Sequence, residues 1–257
     1  MSRPSLRPGL CSVTLRHLPP SAVLTVAAEA GLACVEWGAD VHAPAEPLPA
    51  LEALGRSTRA SGLEVASYGT YWRATDDHPT PLLDAAEALG CRRLRIWAGT
   101  SGSAEADRDE RRRVVAAVRR LADEAATRGQ ELAFEHHDGT LADTVGSTLD
   151  LLDEVDRPNV GTYWQPRVGE RTGTALEGLL ALLPHLRGVH VFSWWPGAER
   201  LPLVDRADLW TAVVDVLETA GQDLDLLLEF LPGDDEGRLA GEAAQLRGWL
   251  GLPPTGR

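Results

Sequence analysis

The sequence predicts an α/β protein, a single-domain (β/α)8 TIM barrel over residues 1–257. Three observations carry that expectation. Short apolar runs alternate with longer amphipathic stretches, eight such pairs fit the chain, and no linker separates them. Alternating β and α segments imply a parallel sheet with right-handed crossovers, and eight units close most simply into a barrel. An open doubly wound sheet is the rival. It usually carries a glycine-rich phosphate turn after strand 1, and here that turn reads R-H-L-P-P-S.

Taken in order, strand 1 is expected over residues 12–16, with a helix over 22–30. Strand 2 is A-C-V-E-W-G at 33–38, followed by a helix over 48–61. Strand 3 covers 64–68 and its helix 81–89. Strand 4 covers 93–98 and leads into the long helix at 104–128. There Val114, Val115, Val118, Leu121, Ala122 and Ala125 recur at the spacing of one helical face. Strand 5 (131–135) precedes a helix at 141–155, strand 6 (159–164) one at 173–183, strand 7 (188–193) one at 207–220, and strand 8 (225–230) one at 236–250. Gly31, Gly62, Gly90, Gly129 and Gly221 each stand between a helix and the next strand. Glycine tolerates the left-handed conformation that closes a helix.

Composition narrows the function. With 38 acidic and 25 basic residues the net charge is −13. Such a surface repels phosphate backbones and anionic bilayers, so neither nucleic acid nor a membrane is the expected partner. No run reaches the ~18 apolar residues of a membrane span, and the opening M-S-R-P-S-L-R-P-G-L holds no signal-peptide core. A cytoplasmic protein is expected. Cys11, Cys34 and Cys91 are far apart, which fits small buried hydrophobes better than a disulfide framework or a cysteine zinc site. All 25 basic residues are arginine. Without lysine no Schiff base forms, which excludes that class of aldolase and the usual attachment of pyridoxal phosphate.

In a barrel the chemistry sits at the C-terminal ends of the strands. There strand 5 ends in Glu135, strand 6 at Gln165 and strand 8 in Glu229; strand 7 carries His190 and strand 2 carries Glu36. Every second side chain of a strand points into the barrel. An ionised carboxylate there is costly unless paired or metal-bound. Glu135, Gln165, His190 and Glu229 come from four successive strands and can converge. Three oxygens and one imidazole suit Mn²⁺, Mg²⁺ or Co²⁺, and also admit Zn²⁺. The alternative is a buried ionic cluster in which Arg95 or Arg16 neutralises the glutamates. Glu36 reads as a substrate ligand, as an acceptor behind a metal ligand, or equally as a structural pair to Arg16.

Aromatic residues gather at the same ends. Trp37, Trp72, Trp97, Trp164, Trp194 and Trp195 lie at or after strand ends, with Tyr68, Tyr71 and Tyr163; only Trp210 and Trp249 fall on helices. Such rings either stack on a sugar or pack the loops. The expected substrate contacts are Glu36, Tyr68, Trp97, His137, Arg95, Trp164, Arg167 and Trp194, with Arg73, Arg95 and Arg167 available to an anionic group. His136 and Asp138 read as loop residues and His42 as either a site or a solvated loop histidine. His17, His78 and His185 read as surface residues.

The segments V-E-W-G (35–38), L-A-F-E-H-H-D-G (132–139), V-D-R-P-N-V-G (155–161), G-V-H-V-F (188–192) and L-L-L-E-F (227–230) resemble the xylose isomerase-like TIM barrels, the sugar phosphate isomerase/epimerase superfamily. The resemblance runs nearly the length of the chain. It implies one divalent metal held by Glu135, His190 and Glu229, with Gln165 where the family has aspartate. It also implies proton transfer by Glu135 and Glu229. The chain departs from the pattern at Q-P-R-V (165–168), where D-x-x-H is common, and at Ser193, where Asp is common. The reading that follows is a metal-dependent isomerase or epimerase acting on a small carbohydrate through an enediolate. A dehydratase or lyase on a related polyol and a non-catalytic sugar-binding barrel are the alternatives. A metal-dependent endonuclease on the same barrel is disfavoured by the acidic charge. The L-W-T-A-V-V-D-V-L helix has an apolar face that would serve a homo-oligomer as readily as the barrel wall.

Overall fold

The computed structural model describes residues 5–75 and 79–254; His78 lies outside the described residues. Eight parallel strands form a closed barrel in chain order, with the last pairing back onto the first. They are β1 (Leu6–Cys11), β2 (Cys34–Gly38), β3 (Glu64–Gly69), β4 (Arg93–Ile96), β5 (Glu131–Phe134), β6 (Val160–Trp164), β7 (Leu186–Val191) and β8 (Leu224–Leu228). The helices between and after them are α1 (Pro20–Glu29), α2 (Leu48–Ala60), α3 (Thr80–Leu89), α4 (Arg108–Thr127), α5 (Val145–Val155), α6 (Thr172–Leu182), α7 (Ala207–Ala220) and α8 (Leu239–Trp249). No helix among the described residues is long and apolar enough to cross a membrane.

The expected order of elements stands, with one strand displaced. Residues 12–16 are not strand 1. Ser12–Leu15 form a 3-10 turn, and the strand is Leu6–Cys11. Its P-G dipeptide reads as a turn because Pro8 offers no N–H and Gly9 no side chain. In the barrel the Pro8 carbonyl still accepts from Ala33 N at 2.7 Å. Gly9 is required by crowding, since a Cβ there would lie 2.6 Å from both Cys34 Sγ and Leu227 Cδ2.

Two helices start later than the periodicity suggests because polar caps fix them. Asp107 accepts from Glu110 N at 2.7 Å at the head of α4, and Thr144 accepts from Ser147 N at 3.2 Å at the head of α5. The five interhelical glycines all take positive φ, between 65° and 78°.

Leu10, Val35, Leu94, Phe134, Val189 and Leu226 are fully buried in the main apolar core, along with Val118, Leu151, Leu179 and Leu217 from the helices. Inside the barrel a smaller cluster of Cys11, Cys34, Ala133, Tyr163 and Leu227 fills the middle. The N-terminal end is stitched by ion pairs. Arg7 meets Asp225 at 2.7 Å, Arg93 meets Glu131 at 2.8 Å, and Arg187 meets Glu131 at 3.3 Å. That end of such a barrel serves stability.

Candidate active site

The opposite end carries a cavity of about 390 Å³. Glu135 and Glu229 reach it from equivalent positions. Each is the first residue past its strand, with its N–H still bonded to the neighbouring strand: Glu135 N to Ile96 O at 2.9 Å, and Glu229 N to Val191 O at 3.0 Å. Gln165 is likewise the first residue past its strand, β6, and His190 lies one turn of the pleat deeper, within β7.

His190 is fully buried beneath the floor. Its Nδ1 is 2.8 Å from Gln165 Oε1 and 3.4 Å from Glu229 Oε2. Its Nε2 faces Glu36 Oε1 at 3.4 Å. Cys11 Sγ closes another side, within 4.8 Å of ligand atoms of both His190 and Glu229. Burial opposes a charge on His190, but Glu229, Glu36 and Glu135 outweigh it and hold the imidazole above the ordinary histidine value. Burial pushes Glu229 up, against the pull of His190 and with Glu135 adding to the rise.

A divalent cation fits this donor set. An octahedral ion with bonds of ~2.1 Å spaces adjacent donors by roughly 3.0 Å. The separations of Gln165 Oε1 and Glu229 Oε2 from His190 Nδ1 straddle that value. Glu36 stands 3.4 Å behind Nε2 without a formed hydrogen bond, where the outer carboxylate partner of a metal-binding histidine is commonly found. Cys11 is a less suitable ligand: burial pushes its thiol well up, and it donates to Glu36 Oε1 at 3.3 Å.

Arg95 crosses the barrel between two carboxylates. Its Nε donates to Glu36 Oε1 at 2.8 Å and its Nη1 to Glu135 Oε2. Ser67 Oγ donates to Glu36 Oε2 at 2.6 Å, and Tyr163 Oη donates to Ser67 at 2.8 Å. Burial opposes charge on Glu36, yet Arg95, His190 and Ser67 together hold its carboxyl well below the usual range. The ionic cluster expected as an alternative to a metal is therefore present, but it engages Glu36 and one oxygen of Glu135. Glu229 is left beside His190. The ion pair thus leaves His190, Gln165 and Glu229 together as a donor set of their own.

Residues 24–246 match the model of one family, the xylose isomerase-like TIM barrel. The chain belongs to that family. Among curated proteins it is 40% identical over 68 residues to the 3-dehydroshikimate dehydratase of Bacillus anthracis, a stretch covering 26% of this chain and only 24% of that enzyme. Solved structures share the fold, three of them as follows. The probable 3-DHS dehydratase of Bacillus anthracis superposes with a TM-score of 0.78 at 21% identity, over 93% of this chain and 97% of that one. The 3-keto-D-glucoside 4-epimerase of E. coli gives 0.75 at 15%, over 95% and 100%. A xylose isomerase-like TIM barrel protein of Mycobacterium smegmatis, in complex with magnesium, gives 0.71 at 16%, over 95% and 96%.

In this xylose isomerase-like barrel, most expected contacts border the cavity: Glu135, Gln165, Glu229, Arg95, Trp97, His137, Arg167 and Trp194. His190 and Glu36 lie beneath it. Two expected contacts are misplaced. Tyr68 is fully buried with its hydroxyl on Ala43 O at 2.9 Å, and Trp164 packs edge-on against Trp210 at 6.2 Å. Both occupy the layer between barrel and helices. Trp37 shares that layer, donating to Thr58 of α2 at 3.1 Å. Ser193, where the family pattern has aspartate, accepts from Trp210 Nε1 at 3.1 Å. His42 is neither at the site nor solvated: it is buried, with Nε2 on Leu18 O at 3.0 Å. His136, read as a loop residue, is buried and borders the cavity.

The walls add residues not named as contacts: Val13, Arg16, Tyr71, Phe192 and Phe230. Phe192, Trp194 and Phe230 form one aromatic wall, with centroids 5.0–6.1 Å apart and Arg200 across two of its rings. Tyr71 (φ 55°) and Phe230 (φ 57°) hold left-handed backbone. For bulky residues that is rare and costs roughly 1–3 kcal/mol, and such strain concentrates at functional sites.

Proposed function

We propose that this cavity takes a small carbohydrate or related polyol bearing a carbonyl. Glu135 and Glu229 then exchange a proton at the neighbouring carbon, making the protein an isomerase or epimerase. One observation carries the reading: two buried glutamates from equivalent strand ends open on one cavity in opposed surroundings. Glu135 receives Arg95 and Trp97, while Glu229 sits against His190. Carboxylates with such different environments divide the roles of base and acid.

Gln165, His190 and Glu229, with Glu135, would hold a divalent cation, which supplies positive charge at the carbonyl oxygen and so acidifies the adjacent C–H. One glutamate removes the proton and the other returns it. Glu36 sets negative charge beside the His190 imidazole. The aromatic wall excludes water from the reacting carbon. The test is solvent deuterium incorporation across a panel of keto-sugars. Glu135→Gln and Glu229→Gln should each abolish exchange at the α carbon; exchange near the wild-type rate in both variants overturns the mechanism.

A second reading shares the first step and ends in loss of a β-hydroxyl, a dehydratase acting on a cyclic polyol acid. The motivation is the local likeness to a 3-dehydroshikimate dehydratase, together with Arg16 and Arg167 on the cavity wall, half-exposed beside Asp40 and Asp138, where a substrate carboxylate would compete for them. Product analysis separates the two. A stereoisomer or aldose–ketose pair supports the first, and a product lighter by one water supports the second.

A further inference from the structure

We infer that Trp97 is a positioning residue that holds two groups of the site through two different parts of one indole. The inference rests on the reading of Glu135 as a proton-transfer group.

Trp97 directly follows β4, and its backbone N–H is tied to Trp72 O at 2.8 Å. The ring edge serves the first group. Indole Nε1 donates to Glu135 Oε2 at 2.7 Å, the same oxygen that receives Arg95 Nη1. Two donors on one oxygen leave Oε1 as the atom available to chemistry and fix the carboxylate's rotation.

The ring face serves the second group. The His137 imidazole stacks on it with centroids 4.4 Å apart and planes at 27°. On the same indole the Arg73 guanidinium lies over the ring, 4.0 Å from its centroid, and Arg73 is itself anchored on Gly99 O at 3.4 Å. His137 Nδ1 lies 2.6 Å from Asp138 O. A carbonyl only accepts, so Nδ1 is the donor in this contact. Among the described residues no partner meets Nε2, and His137 borders the cavity. One rigid ring, supplied by the loop after β4, thus fixes both the Glu135 carboxylate and the His137 imidazole supplied by the loop after β5. Neither group is set by its own loop alone.

The test uses Trp97→Phe, which keeps a ring for stacking but deletes the N–H, and Trp97→Leu, which removes both. On a turned-over substrate, Trp97→Phe should lower kcat on the order of ten- to a hundred-fold with KM nearly unchanged, the scale of a small misplacement of a reacting group. Wild-type kcat in Trp97→Phe overturns the inference.

Two further readouts need neither substrate nor metal. The indole N–H resonance of Trp97 should lie downfield of the other tryptophans and move upfield in Glu135→Gln, where the acceptor loses its charge. The ring C–H resonances of His137 should stay shifted by ring current in Trp97→Phe and lose that shift in Trp97→Leu. An indole signal indifferent to Glu135→Gln overturns the inference whatever the activity. A responsive indole in a protein that turns over no keto-sugar or polyol acid supports the inference and overturns the proton-transfer reading instead.

Discussion

His190 Nε2 faces Glu36 Oε1 at 3.4 Å, on the side of the ring away from Glu229. Both residues are wholly buried, and Glu36 is shared with Arg95. The carboxylate balances the guanidinium and sets negative charge beside the imidazole.

Glu36→Gln should therefore weaken Mn²⁺ binding by about 10–100-fold, the scale for loss of a histidine's outer partner, as read by calorimetry. Stability at pH 7 should fall by about 3 kcal/mol in urea denaturation, the low end for breaking a buried pair, because Arg95 keeps Glu135. The carboxyl of Glu36 is held below its unfolded value. Its contribution is thus present above roughly pH 4.5 and lost as pH falls through the folded value. The gap between wild type and variant should narrow on acidification below about pH 4.

Gln165→Asp should tighten Mn²⁺ or Mg²⁺ binding on the order of ten-fold, since a carboxylate adds the charge that an amide oxygen lacks. Gln165→Ala should weaken it. The measurement is titration of chelator-stripped protein, and unchanged affinity in both variants would remove Gln165 from the ligand set.

Gly69 makes room for the ion pair. A Cβ there would lie 2.5 Å from Arg95 Nη2 and 3.2 Å from Glu36 Oε1. Gly69→Ala should destabilise the fold by roughly 1–3 kcal/mol, as overpacking does, and should lower kcat with it. A thermal melt matching wild type would show that the guanidinium moves aside freely.

Tyr68→Phe should leave kcat/KM within about two-fold while lowering stability by about 1 kcal/mol, because the hydroxyl bonds only the Ala43 carbonyl. A large change in KM would return Tyr68 to the substrate's surroundings.

The fold was legible because helix and strand differ in apolar period, and because glycines mark the joints. Strand 1 was not: Pro8 and Gly9 look like a turn until the crowding around Gly9 supplies the reason for them. At the site, a carboxylate closing an apolar run pointed to Glu135 and Glu229. The errors over Tyr68, Trp164 and Trp37 were avoidable. Each adjoins a residue that faces the barrel (Ser67, Tyr163 and Glu36), and neighbours on a strand point to opposite sides. Tyr71 and Phe230 were harder. Their left-handed backbone belongs to the turns after strands, where no period applies.

That alternation has a consequence for how such a chain can change over generations. Tyr163 faces the barrel interior, Trp164 the helices, and Gln165 follows at the cavity. One codon inserted within Val160–Trp164 would exchange the two sets, driving an indole into the barrel and a phenol toward α6. The same codon inserted beyond Gln165, in the loop before Thr172, leaves every strand in phase. The pleat acts as a reading frame of its own. Lengthening after a strand is free to reshape the cavity mouth, whereas lengthening inside one turns the residues beyond it to the other face unless a bulge, such as the register shift at Thr162/Tyr163, absorbs the extra residue.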